Sequence, residues 1–418
     1  MPVTLAEVER VLAQLLEPDK ALRHQLYETL RAWEKEPLPS EIAHRLLRAA
    51  ADDYPSVEGW PAVPNEQLIS MLTYGALVDP AVALEVYPRL NNEGRAWVLR
   101  LLAVLSSREA SAALAQLLTS AHQGADLPKV HWPVLLPLGR APRHPEILAG
   151  PLIHCLDSNL WSKIVAETLL AYAQAHLLDA EQRRAVAATA APRLSHLLGS
   201  LSNRDHDQDD EGAYQDVRSE AGLLLDLVGA VQVEEGRTVL IAAAQHREAW
   251  LSLWGALGLV KLGAAAPAGA LERAAADPES RSVLFDQLKG LGQLELFPAR
   301  YRTQDALAES DMVRWLIYPT ELHRAPDEIK QIAVLPLDTA DGFADLYVYR
   351  FRTFEPHWAA DKGWMVGVAG PFLRREQPTT RSLGATFSQF ESFEDKTTDE
   401  HINAILGALS EWGKPAVE

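Results

Sequence analysis

The sequence predicts a mainly α-helical protein: an α-solenoid of stacked helical pairs over residues 1–300, followed by a small α+β domain over 301–418 with a short antiparallel sheet and a closing helix. Three observations carry this expectation. Apolar residues recur on helical spacing through most of the first stretch, with turn signals between successive runs. Alanine and leucine, both strong helix formers, are abundant there. From Gln331 the period changes to short extended runs rich in aromatic and β-branched residues.

Thr4 and Glu7 form a capping-box pair ahead of VERVLAQLL, a strong helix start. Leu22, Leu26, Leu30 and Trp33 repeat at helical spacing through a second helix, which stops before Pro37 and Pro39. Ser40 is placed to cap a third. Residues 54–64 read as a loop with Gly59, three prolines and Trp60. Helices are then expected over 66–78, 80–90, 93–105 and 108–122, parted by Asp79-Pro80, Asn91-Asn92 and Ser106-Ser107. Less regular pairs follow near 130–138, 146–156, 160–176 and 180–201, where Pro128, Pro133, Pro137, Pro142, Pro145 and Pro151 disturb the register. The hydrophilic insertion SNRDHDQDDEG alternates Asp205, Asp207 and Asp209 in the manner of a calcium loop. Asp210 stands where such a loop needs its turn glycine, and Asp216 where it needs Glu, so a solvated inter-helix loop is the expectation.

Helices resume over 214–231 and 234–246 and lead into the clearest unit, Glu248 to Gly292. Here Leu253, Trp254, Leu257 and Val260 share a helical face, a small-residue linker ends at Pro267, and Asp277-Pro278 caps and opens the next helix. Gly292 suits that helix's end. A further helix is expected near 306–317. IAVLPL, ADLYVYRFR, WMVGVAG and ATFSQF then read as four strands, with Tyr347, Tyr349 and Phe351 on one face and Leu346, Val348 and Arg350 on the other. The closing helix, 398–412, sets Ile402, Ile405, Leu406, Leu409 and Trp412 on one side against the sheet.

The helix, Asp-containing turn, helix pattern resembles the HEAT and HEAT-like family of helical-hairpin repeats, in repeat grammar and not in any one member. Asp157 followed by Lys163 in DSNLWSK has the family's Asp-to-basic spacing, whereas Asp277 and Arg281 stand closer. A pair of helices with its turns occupies about 40 residues, as in such repeats. The resemblance implies units that cannot bury their apolar faces alone and so stack on one another.

A formal charge of −18 argues against the phosphate backbone as principal partner, because affinity for nucleic acid is carried largely by Lys and Arg. Cys155 is the only cysteine, which excludes an intrachain disulfide and points to a reducing, cytoplasmic setting; PLIHCLDS reads as a packed helix. No apolar run reaches membrane length, and the N-terminus lacks the layout of a secretion signal.

No H-E-x-x-H, paired C-x-x-C, Walker-type loop, G-x-S-x-G or dinucleotide glycine fingerprint occurs, so neither catalysis nor a cofactor is expected. His131, His144 and His154 make only a mild cluster, and no metal site is expected of them. The leading reading is a non-enzymatic scaffold that binds a protein or peptide on the concave face of the array. Arg95, Trp97 and Arg100, then Trp161 and Lys163, then Trp250 and Trp254 are the candidate anchors, since Trp and Arg dominate interface energetics. A second candidate is the loop FEPHWAADKGW, where Glu355, His357 and Asp361 surround Trp358. The alternatives are a HEAT-like nucleic-acid-binding or DNA-repair protein and an enzyme or lyase subunit with its site in the C-terminal domain.

Overall fold

A computed structural model describes residues 3–35, 37–59, 63–122, 127–130, 132–203, 211–318, 322 and 324–412. The chain is mainly helical with one four-stranded antiparallel sheet near its C-terminal end. It divides into two compact units, Met1–Val239 and Leu240–Glu418. The boundary expected at residue 300 falls inside the second unit.

The first unit opens with α1 (Leu5–Gln14), α2 (Lys20–Trp33), α3 (Ser40–Ala49), α4 (Pro64–Ser70), α5 (Pro80–Val86) and α6 (Asn92–Val104). It continues with α7 (Arg108–His122), α8 (Leu136–Arg140), α9 (Pro145–Cys155), α10 (Ser162–Gln174), α11 (Ala180–Asn203) and α12 (Glu211–Val231). The Thr4–Glu7 capping box closes α1 as expected. Ser40 differs from expectation: it is the first residue of α3, and its hydroxyl meets His44 Nε2 at 3.2 Å. Proline explains two of the shortenings. Pro88 turns the end of α5 into a 3₁₀ turn, and Pro133 and Pro137 leave 132–135 without an α-helix, so that α8 keeps five residues.

Packing within this unit follows one rule. Every helix from α1 to α10 packs on the helix two positions later, and α1/α2, α3/α4, α5/α6, α6/α7, α9/α10 and α11/α12 also pack as neighbours. Polar rungs join helices two apart. Arg45 on α3 reaches Glu9 on α1 at 2.6 Å, Arg48 reaches Glu85 on α5 at 3.1 Å, and Arg108 on α7 reaches Glu146 on α9 at 2.7 Å. The partners lie 36, 37 and 38 residues apart. Arginines cap helix ends: the buried Arg23 donates to Leu15 O at the end of α1, and the half-buried Arg143 donates to Ala103 O and Val104 O at the end of α6.

The helix α13 (Arg237–Ala244) runs into the second unit, which continues through α14 (Ala249–Lys261), α15 (Ala270–Ala276), α16 (Pro278–Gly290) and α17 (Gln304–Ile317). Gly255 lets α14 close on the end of α13; a Cβ there would meet Ala244 N at 2.4 Å. Asp277 caps α16 by accepting from Ser280 N–H at 3.0 Å, and Gly292 at φ +67° ends it, both as the sequence predicts. Arg281 does not pair with Asp277. It donates to Ala275 O and Ala276 O at the end of α15, and to Ala306 O and Glu309 on α17.

The sheet is a meander of β1 (Glu328–Thr339), β2 (Gly342–Arg352), β3 (Met365–Leu373) and β4 (Phe387–Gln389), matching the four expected runs. Alternation sorts its faces. Tyr347, Tyr349, Phe351, Met365, Ala369 and Phe372 pack on Ala308, Met312 and Leu316 of α17. On the opposite face Leu346, Val348, Val366 and Val368 pack on Phe393 and on Ile405 of α19 (Thr398–Trp412). A short α18 (His357–Ala360) lies between β2 and β3. Among the described residues no helix is long and apolar enough to cross a membrane.

Candidate functional site

The sequence-nominated residues come together best on α6. Asn92, at its first turn, clamps the main chain of Lys129: Oδ1 accepts from the Lys129 N–H at 2.7 Å, and Nδ2 donates to the Lys129 carbonyl at 2.8 Å. One turn on, Trp97 packs on Trp132 with ring centroids 4.8 Å apart and planes tilted by 39°. Arg100 follows and donates to Pro133 O at 2.9 Å. Burial, helped by the nearby Arg140 charge, lowers the Arg100 pKa, and Tyr74 opposes this. Both indoles are half-buried, Arg140 is exposed, and Tyr74 and Leu77 are among the most exposed large side chains. The result is an aromatic and arginine-bearing surface built on α6 and the connection before α8. Trp132 is the residue that sequence reasoning missed. Its Trp-Pro pair sits in the proline-rich stretch whose pairing no local periodicity fixes.

The other anchors are placed differently. Arg95 is occupied locally, stacking over Tyr87 at 5.6 Å and donating to Pro88 O at 3.0 Å. Trp161 is fully buried, its indole N–H donating to Pro128 O at 3.0 Å, so it belongs to the core and presents no surface to a partner. Lys163 is exposed, 4.0 Å from Asp216. In the second unit Trp250 and Trp254 meet edge to face at 5.6 Å and flank the core around Leu253, Leu257 and Phe285. Cys155 is buried in α9, which pushes its thiol pKa up to about 11.

The C-terminal loop candidates each meet different neighbours. Glu355 pairs with Arg324 at 3.1 Å. His357 begins α18, Asp361 ends it, and Trp358 turns its ring edge to Phe390 at 5.2 Å. Among the described residues Glu355, His357 and Asp361 make no hydrogen bond to one another. Asp327 organises the loop, accepting from Phe354 N–H at 2.6 Å and from the Thr353 hydroxyl at 3.1 Å.

A cleft in the same unit, about 330 Å³, is lined by Asp311, Arg314, Trp315 and Tyr318 of α17 and its end, and by Ser382, Gly384 and Thr386. Asp311 accepts from the Thr386 hydroxyl at 2.6 Å; burial raises its pKa, opposed by that hydrogen bond and by Arg314. The Trp315 indole N–H reaches Ser388 Oγ at 3.3 Å, so these contacts tie β4 and the connection before it to α17.

His144 is turned to Glu146, at 3.5 Å, and to Ser106 O. Among the described residues no three His, Cys, Asp or Glu side chains are grouped to hold a metal ion. Trp60, His131 and the acidic insertion with Asp205, Asp207 and Asp209 lie outside the described residues. Comparison with protein-family models, curated proteins and solved structures gives no match.

Proposed function

We propose that the chain is a non-enzymatic interaction protein whose first unit is a HEAT-like array and whose partner is a protein or peptide segment. The observation that carries this is the packing rule of the first unit: each helix rests on the one two positions away, with rungs at 36, 37 and 38 residues. That is the order expected when successive helix pairs stack and shield one another's apolar sides. In such arrays one row of helices lines a concave surface. We assign that role to the even-numbered helices, the row of α6, whose Trp97 and Arg100 meet Trp132 and Pro133 of the connection before α8. Rigid aromatics beside a partly desolvated arginine are the side chains best suited to anchor a partner.

The nucleic-acid alternative needs a row of available cations. Arg45, Arg48 and Arg108 are paired with carboxylates, and Arg23 and Arg143 with main-chain carbonyls, which leaves them poorly placed for phosphates. A single cysteine in 418 residues goes with a cytoplasmic setting.

The test is affinity capture from the protein's own cell lysate, with proteins and nucleic acids both identified, using the parent chain and a Trp97→Ala/Trp132→Ala variant whose circular dichroism is unchanged. The proposal expects a defined protein that the variant no longer retains. Recovery of nucleic acid alone, or of the same proteins by both chains, contradicts it.

A further inference from the structure

Trp364 immediately precedes β3 and is surrounded by positive charge. The Lys330 ammonium lies 5.0 Å from its ring centroid, the Arg350 guanidinium 4.7 Å and the Arg352 guanidinium 4.9 Å. Strand register brings them together. Lys330 faces Arg350 and Glu328 faces Arg352 across β1 and β2, so all four share the sheet face that carries Leu346 and Val348. Arg350 also lies 5.9 Å from the Phe393 ring.

Glu328 is the carboxylate that answers this cluster among the described residues. It accepts from Arg352 and stands 3.7 Å from Lys330. The Arg350 side chain makes no ion pair and no hydrogen bond among the described residues, and its Nε is buried without a partner. Three like charges around one indole repel one another, and cation–π contact offsets this only in part. The chain carries 57 acidic residues against 39 basic ones, yet among the described residues one carboxylate stands against three cations here.

We propose that Lys330, Arg350 and Arg352 form a binding site for a phosphate-type dianion, with Arg350 as its principal donor. The uncompensated charge matches a dianion. The guanidinium fork fits two oxygens of a tetrahedral oxyanion. Convergence on one indole suits a compact, multiply charged group better than a string of separate carboxylates. The Trp364 ring is already covered by cations, so the site takes the phosphate and not a stacked base. This inference stands apart from the surface on α6 and survives or fails without it.

Isothermal titration of the full chain with inorganic phosphate at low ionic strength tests it. Saturable binding is expected. Arg350→Gln is expected to weaken it by roughly tenfold or more, the worth of a charge-assisted hydrogen bond. Glu328→Gln is expected to tighten it several-fold by removing the competing anion, a change that loss of folding cannot mimic. Arg375→Gln, an exposed arginine whose nearest carboxylate is Glu376 at 3.9 Å, is expected to leave it unchanged. O-phosphoserine binding tighter than phosphate identifies a phosphorylated ligand, and equal binding identifies the free anion. Absence of binding, indifference to both Arg350→Gln and Glu328→Gln, or preference for an oligoglutamate peptide overturns the proposal.

Discussion

Arg281 donates to the Glu309 carboxylate at 2.6 Å across the packing of α16 on α17, with 4% of its side chain exposed. The same guanidinium satisfies the carbonyls of Ala275, Ala276 and Ala306, so one side chain closes the end of α15 and joins three helices.

Removing that side chain leaves buried carbonyls and a partly buried carboxylate unpaired. Arg281→Met is expected to lower stability by about 3 kcal/mol or more, read as a shifted midpoint in urea unfolding. Arg48→Ala breaks the exposed pair with Glu85 and is expected to leave the midpoint within experimental error, because solvent screens that pair.

Two glycines permit close approach for different reasons. At Gly255 an added Cβ would strike main-chain atoms, Ala244 N at 2.4 Å and Leu240 O at 2.8 Å, which have no rotamer to yield. At Gly367 it would meet the end of the flexible Met312 side chain, Cε at 2.4 Å. Gly255→Ala is therefore expected to cost about 2 kcal/mol or more, and Gly367→Ala clearly less, by thermal or urea unfolding. Equal losses would refute this account of the packing of α13 and α14.

Asp311 gives a pH-dependent prediction. Burial raises its pKa in the folded state above the ordinary aspartate value of 3.8. Within the window from that value up to the folded pKa, the folded state binds more protons than the unfolded one. Stability therefore falls as pH rises through the window and is then level. Asp311→Asn keeps an acceptor for the Thr386 hydroxyl and removes the buried charge. It is expected to be more stable than the parent at pH about 7, with the gain disappearing below the window. A variant less stable at neutral pH contradicts this.

Cys155, with its thiol pushed up to about 11 and its side chain buried, is expected to resist a thiol reagent at neutral pH in the folded chain. It should react fully once the chain is unfolded in denaturant. Rapid modification of the native protein would show a reactive cysteine.

What the sequence disclosed was set by short-range chemistry. Thr4 with Glu7 and Asp277 with Pro278 mark helix starts within four residues, and the alternation of Tyr347, Tyr349 and Phe351 announces a strand with two distinct faces. Long-range relations were hidden. Nothing local tells that Arg281 prefers the end of α15 to the nearby Asp277, or that Trp161 turns inward to Pro128. The same helical grammar runs through both sides of the Val239–Leu240 boundary, so composition does not mark the division. The cluster around Trp364 depends on a register that a bulge between Gln331 and Ala333 shifts by one residue, a feature without a sequence signature here.

The most direct test of the interaction surface is photo-crosslinking in the cell, with a photoreactive phenylalanine placed at Trp132 and, as control, at the exposed Glu41 on α3. The account predicts a protein adduct of defined mass from position 132, absent from position 41 and abolished when Arg100→Glu is added. Adducts to nucleic acid alone, or protein adducts equal at both positions and indifferent to Arg100→Glu, would contradict it.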